Sequence, residues 1–140
     1  MKKFEELFES FLQMKRLVFQ GSLIADNEQA FTKLQFIVLD LVKELEPIPV
    51  GELANRLKFS KSSMTQLINR LVKMSFVKRL RDPKDRRSVR LLMTEEGRKE
   101  YKKLRKKVME QMQMTFGFLH EEDMDLLISL HKKIIQHFNK

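Results

Sequence analysis

The chain has 140 residues, enough for one ordinary domain or a compact domain with flanking helices, and its 28 Lys and Arg outnumber 19 Asp and Glu to leave a net charge of +9. It contains no cysteine, which excludes a disulfide framework, a thiolate metal site and a thiol redox switch. No apolar run approaches the roughly 18 residues of a membrane span, and Met1-Lys2-Lys3-Phe4-Glu5-Glu6 turns acidic where a secretion signal turns apolar, so a cytoplasmic protein with no membrane partner is expected.

In the first segment Phe4, Leu7, Phe8, Phe11, Met14 and Val18 recur at helical spacing, with Leu12, Leu17 and Phe19 beside them. Turn formers follow from Gly21-Ser22 to Asp26-Asn27. Thr32, with Gln35 three positions on, makes a capping-box start for a helix carrying Leu34, Ile37, Val38, Leu41, Val42 and Leu45, which Pro47-Ile48-Pro49 ends. A short helix places Leu53, Ala54 and Leu57 inward, Lys58-Phe59 turns the chain, and Ser60 caps a helix running to about Met74.

After Ser75 the period changes to two. Val77 to Arg81 and Ser88 to Met93 read as strands, joined by a longer loop in which Asp82-Pro83-Lys84-Asp85 suits a type I turn. Thr94 caps a long helix with Tyr101, Leu104, Val108, Met112 and Phe116 on one stripe and Glu95 and Glu96 in its positive first turn. The last helix begins near Glu121 and carries Met124, Leu127, Ile128, His131, Ile134, Ile135 and Phe138. The expected fold is mainly α with a small antiparallel β hairpin, an α+β arrangement, and the first and last helices have more apolar surface than one partner buries.

Residues 58 to 90 hold eleven Lys and Arg against two Asp, a surplus equal to the net charge of the whole chain. A basic patch on a helix followed by a hairpin predicts a polyanionic partner, most simply duplex DNA. Three helices and a two-stranded hairpin from about Phe31 to Met93 describe a winged helix-turn-helix. In its third helix Met64, Leu67, Ile68 and Leu71 form the apolar face and leave Ser62, Thr65, Gln66, Asn69, Arg70 and Lys73 around the other side. No carboxylate interrupts that outer face, as a helix lying in a major groove requires.

Gln66 and Asn69 carry the donor and acceptor pair that bonds adenine bidentately, and Thr65 offers a hydroxyl and a methyl group; these three are the base-reading candidates. Ser62 and the first-turn N–H groups, with Lys61, Arg70 and Lys73, suit backbone phosphates, and Ser60 and Ser63 complete the candidate set at the helix start. On the wing the candidates are Arg79, Arg81, Lys84, Asp85, Arg86 and Arg87. An Arg at the tip fits a narrow minor groove, while Asp85 is expected to ion-pair with Arg79 or Arg87 and orient it. The plainer alternatives are a solvated helix face and a solvated hairpin tip.

These stretches resemble the MarR family of bacterial transcriptional regulators. The resemblance runs from Thr32-x-x-Gln35 through Gly51-Glu52-Leu53-Ala54-Asn55-Arg56-Leu57 and Ser60-Lys61-Ser62-Ser63-Met64-Thr65-Gln66-Leu67-Ile68-Asn69-Arg70-Leu71 to Val77-Lys78-Arg79. It continues through Arg81-Asp82-Pro83-Lys84-Asp85-Arg86-Arg87-Ser88 and Leu92-Met93-Thr94-Glu95-Glu96-Gly97-Arg98, so about half the chain is covered. Its most specific element is the Asp-x-Arg of the wing, Asp85 and Arg87.

The resemblance implies one domain over residues 1–140, with an N-terminal dimerisation helix and linker at 1–29, the winged helix-turn-helix at 30–94 and C-terminal dimerisation helices at 95–140. It further implies a homodimeric repressor on a near-palindromic operator, with Arg87 in the minor groove and release by a small aromatic or phenolic effector bound between the dimerisation and DNA-binding regions. Three departures stand out. Ser75 occupies a position that is usually Gly, Pro49 one where Ser or Thr usually caps the short helix, and the lack of Cys excludes peroxide sensing by a thiol.

Other chemistry finds little support. His131 and His137, six apart, fall on different sides of one helix, and with His120 they lack a Cys or paired carboxylate to complete a tetrahedron, so no metal or cofactor is expected and His131 reads as a core or dimer-interface residue. Met109, Met112 and Met114 beside Phe116 and Phe118 read as dimer core before ligand pocket. No nucleophile, base and orienting group form a catalytic motif, so a non-enzyme is expected. The competing reading is a winged-helix scaffold for a protein partner or for nucleic acid bound without sequence readout.

Overall fold

The helical spacings and the period-two run each form the element they suggest. The computed structural model describes residues 1–18, 33–85 and 88–139, with Val18 and Lys33 as backbone only; Thr32, Phe19, the turn formers at 21–27, Arg86 and Arg87 lie outside the described residues. The order is α1 (Lys2–Val18), α2 (Lys33–Leu45), β1 (Ile48–Pro49), α3 (Val50–Leu57), α4 (Lys61–Lys73), β2 (Val77–Arg81), β3 (Val89–Met93), α5 (Glu95–Phe116) and α6 (Glu121–Phe138). Two compact units result, residues 21–107 and residues 1–20 with 108–140, so the division falls inside α5 and not at its start.

In the 21–107 unit the core gathers Val38, Leu39 and Val42 of α2, Leu53 and Ala54 of α3, Met64, Ile68 and Leu71 of α4, Ile48, Val77, Leu91 and Met93 of the sheet, and Tyr101 and Leu104 of α5. Burial contributes about 1.5–3 kcal/mol for each large apolar side chain. Rotating α4 would forfeit Met64, Ile68 and Leu71 together, so the core sets which α4 residues face outward. In α2 the inward arc is Gln35, Val38, Leu39 and Val42; Ile37, one of the apolar residues by which the helix is read in the sequence, is 48% exposed. A helix apolar on nearly every side leaves its buried arc to its neighbours.

The hairpin gains a third strand, giving an antiparallel sheet in the order β1-β3-β2. Ile48 pairs with Leu91 and Pro49 with Arg90, while β2 and β3 pair from Val77 with Met93 to Arg81 with Val89. A two-residue strand ending in proline carries no period-two signal, and proline is tolerated here because β1 lies at the sheet edge. Pro49 also precedes α3 with φ −62° and ψ 140°, and its side chain makes no cap, so the Ser or Thr cap it replaces goes unfilled by that residue.

Polar contacts tie the ends of these elements. Glu46 Oε2 accepts from Met93 N at 3.2 Å and Oε1 accepts from Arg98 Nη2, which joins the end of α2 to β3 and α5. Tyr101 stacks on Phe36 with centroids 5.5 Å apart, its hydroxyl donates to Asp40 Oδ1, and Lys43 Nζ lies 5.1 Å from its ring centroid. Burial, followed by the hydrogen bond to Asp40, holds the Tyr101 hydroxyl above its ordinary pKa of 10.0, against an opposing effect of Arg105.

Because the folded state favours the neutral phenol, its stabilisation is complete below pH 10.0 and is lost as pH rises through the raised folded value. Tyr101 is the single tyrosine and the chain has no tryptophan, so tyrosinate absorbance reads this group alone. The titration midpoint is expected above 10.0 in the native protein and near it in denaturant. Tyr101→Phe is expected to reduce the alkaline loss of stability; an identical midpoint in both states would remove the Tyr101–Asp40 contact from that account.

The other unit has a different surface balance. No residue of α6 is buried, and Phe4, Leu7, Phe8 and Phe11 of α1 are exposed. An apolar cavity of about 350 Å³ is lined by Met112, Phe116, Met124, Leu127, Ile128 and His131. His131 is exposed within the chain, which removes the core half of its expected role.

Candidate nucleic-acid interface

Ser60, in extended conformation, caps α4: its Oγ accepts from Ser63 N at 3.1 Å and donates to Ser63 Oγ at 2.9 Å, while its carbonyl accepts from Met64 N at 3.0 Å. Ser60 and Ser63 therefore spend hydroxyl capacity on the helix start, as an N-cap does. Lys61, Ser62, Thr65, Gln66, Asn69, Arg70 and Lys73 are all exposed. Thr65 Oγ1 donates to Lys61 O at 2.8 Å, so its methyl group and its remaining oxygen lone pair are what it can offer a base edge.

The two carboxamides part company. Asn69 Oδ1 accepts from Arg79 Nη2 on β2, which gives the recognition helix and the wing a direct polar link. Gln66 is exposed and makes no hydrogen bond among the described residues. A carboxamide reads adenine bidentately with oxygen and nitrogen in one plane, and Asn69 has already directed its oxygen at Arg79. Gln66 is the side chain that retains the full pattern.

At the far end of α4 the chain reverses at Ser75, whose φ of 67° is the left-handed backbone expected there. A non-glycine residue costs on the order of 1 kcal/mol at such a position. Thr94 secures the reversal: its N–H donates to Phe76 O at 3.0 Å, and its Oγ1 donates to Ser75 O at 2.6 Å and accepts from Gly97 N at 2.9 Å. The threonine expected to cap α5 thus also closes the corner between α4 and β2.

In the wing Asp82 accepts from Lys84 N at 2.9 Å through Oδ1 and pairs with Arg90 at 3.5 Å through Oδ2. The loop closes with Asp82 N donating to Ser88 O and Ser88 N to Asp85 O, each at 3.1 Å. Asp82 is the organising residue that the charge pattern alone did not single out; its position before Pro83 was the available signal. Arg81, Lys84 and Asp85 are exposed, and the expected minor-groove residues Arg86 and Arg87 lie outside the described residues.

A cleft of about 440 Å³ brings several candidates together: Lys61, Thr65 and Ile68 of α4 face Arg79, Asp85 and Val89 of the wing across it. Asp85 and Arg79 thus share one cleft, and Arg79 also donates to Asn69. Lys61 and Arg79 put two cations on the walls of the cleft against the one carboxylate of Asp85, with Ile68, Val89 and Val50 between them.

The MarR family model matches residues 31–89. Among curated proteins, the chain is 30% identical to the HTH-type transcriptional regulator YpoP of Bacillus subtilis over 79% of this chain and 77% of YpoP. It is 33% identical to the HTH-type transcriptional regulator YsmB of the same organism, over 69% of this chain and 66% of YsmB. Among solved structures, a mutant MarR from E. coli complexed with operator DNA superposes with a TM-score of 0.73 at 25% identity, covering 94% of this chain and 93% of that one. A carboxylate-free α4 face beside a wing organised by Asp82, and the match to that model over the same residues, have one reading: the chain belongs to the MarR family of transcriptional regulators.

Proposed function

We propose that the protein is a homodimeric, sequence-specific DNA-binding repressor that places one α4 in each half of a near-palindromic operator. The observation that carries this reading is the exposed face of α4, which has hydrogen-bonding and cationic side chains, no carboxylate, and in Gln66 an uncommitted carboxamide. Lys61, Arg70 and Lys73 supply phosphate contacts, and Arg79, held by Asn69, carries the wing beside the duplex. Dimerisation is supported by the exposed apolar residues of α1 and α6, and it couples two half-site contacts into one site. A scaffold that coats nucleic acid has no use for a carboxamide positioned in this way.

The cleft between α4 and the wing supports an effector as well. A small aromatic acid seated between Lys61 and Arg79, against Ile68 and Val89, would occupy groups that DNA also needs, so its binding and operator binding exclude one another.

Alanine substitutions compared on the best operator and on random duplex separate base reading from charge. Gln66→Ala is expected to cost about 1–3 kcal/mol on the operator and to relax base preference, whereas Lys73→Ala weakens both duplexes alike and lowers the salt slope by about 1. Asn69→Ala is expected to resemble loss of Arg79 in its effect on base preference. Equal weakening of both duplexes by Gln66→Ala would return the protein to the scaffold reading.

A further inference from the structure

Outside residues 58–90 the charges cancel in sum, seventeen of each sign, but they are not mixed. Residues 98–107 hold seven Lys and Arg against Glu100 alone. Structure arranges this run into a face. Tyr101 and Leu104 are buried, and Lys99, Lys102, Lys103 and Lys106, at i, i+3, i+4 and i+7, form one exposed stripe on the opposite side of α5. None of these four lysines makes an ion pair among the described residues.

Glu95 and Glu110 bound the stripe at i−4 from Lys99 and i+4 from Lys106, but between them the four lysines face one another, and like charges at these spacings destabilise a helix at a cost that a bound polyanion offsets. The composition of the stripe indicates which one. Protein interfaces are depleted in lysine and anchored by aromatic and apolar side chains, and membrane-surface helices insert apolar residues. No apolar side chain is exposed between residues 98 and 107. Duplex DNA needs no such anchor, because its affinity comes from phosphate charge spaced at about 1.7 Å along the axis and from released counterions. A stripe of two helical turns, about 10 Å long, faces several of those charges.

We propose that the lysine stripe of α5 binds backbone phosphates of the duplex flanking the operator, as a sequence-independent contact separate from that of α4 and the wing. This rests on the operator-binding reading above. The first residues of α5 belong to the same compact unit as α4 and the wing, residues 21–107. The start of α5 touches the corner between α4 and β2 at Ser75 and Phe76. Beyond it, α5 lies on α2 through Tyr101 and Phe36 and is joined to the end of α2 by Arg98 and Glu46, whereas α4 lies against α3 and β2. A duplex longer than the two half-sites serves both surfaces.

The test uses the full chain with Lys99, Lys102, Lys103 and Lys106 replaced together by Gln, and a second variant with Arg at the same four positions. Binding is measured against salt on the best selected operator, trimmed to about 20 base pairs, and on that operator extended by about two helical turns of random sequence at each end. Wild type is expected to bind the extended duplex more tightly and with a steeper slope, by up to about 0.9 per phosphate neutralised. The Gln variant is expected to lose that difference and to match wild type on the trimmed duplex, and the Arg variant to restore it.

A Gln variant that keeps the flank-dependent slope, or that weakens both duplexes equally, overturns the proposal. So does loss of binding to anionic vesicles with the flank effect intact. Failure of the operator reading is distinct: wild type would then bind operator and random duplex equally, and Gln66→Ala would change both by the same factor, whatever the flanks do.

Discussion

Gly97→Ala is expected to destabilise the protein by about 3 kcal/mol, beyond what the loss of a contact alone removes. A Cβ at this position would stand 2.1 Å from Phe76 O, 2.9 Å from its carbonyl carbon and 3.1 Å from its Cα. All three are backbone atoms, so no side-chain rotation relieves the overlap. The same carbonyl accepts the Thr94 N–H at 3.0 Å, and Gly97 N donates to Thr94 Oγ1 at 2.9 Å. To admit a methyl group, the start of α5 would have to move off the corner between α4 and β2, releasing that bond.

A drop of about 10 °C in the thermal midpoint is the expected reading for a chain of this size. Gly51→Ala is the matched comparison, since a Cβ there meets nothing within 4 Å and α3 has no need of glycine flexibility. That substitution is expected to stabilise by about 0.5–1 kcal/mol through helix propensity. Equal effects at the two positions would show that close approach to Phe76 is not what Gly97 provides.

Ile134→Asp is expected to raise the dimer dissociation constant about 100-fold, or about 3 kcal/mol. Leu126, Leu130, Ile134 and Phe138 recur every fourth residue of α6 and all are exposed, as is Ile135 beside them. Phe4, Phe8 and Phe11 give α1 the same character. A carboxylate buried among apolar side chains without a partner costs several kcal/mol. Within one chain Ile134 is 55% exposed, so the helix itself should survive the change.

Sedimentation equilibrium and far-ultraviolet circular dichroism separate the two consequences: assembly is lost and helix content is kept. Operator affinity should fall toward that of a single half-site, because the second contact is no longer intramolecular. A variant that remains dimeric would exclude α6 from the interface.

Much of this was legible before folding because it is local. Ser60 and Thr94 could be recognised as caps from their own side chains and their position before a helical run, and both cap a helix in the structure. The bounds expected for the two strands fall almost to the residue on β2 and β3, although β2 buries Val77 alone. The left-handed turn at Ser75 followed from where the resemblance puts glycine, and φ is 67° there. Ile37 and β1 escaped for the opposite reason. A helix apolar on most sides has no preferred arc until neighbours choose one, and a two-residue strand exists only because β3 lies beside it.

The site divides along the same line. Residue types and spacing in the sequence determined that α4 presents a polar, cationic face without carboxylates, because helix periodicity and the apolar set at Met64, Ile68 and Leu71 leave those residues nowhere else to point. Sequence spacing also determined that a basic hairpin follows. Only the tertiary structure decided which of the two carboxamides stays available, by bringing Arg79 from ten residues away onto Asn69 and leaving Gln66 exposed. Likewise only packing showed that cations summed to zero along the chain stand together on α5, since Tyr101 and Leu104 had to be buried before a lysine face could be defined. Periodicity is a property of the chain, whereas the partner of a side chain depends on contacts that close long loops, and those are set by the whole core.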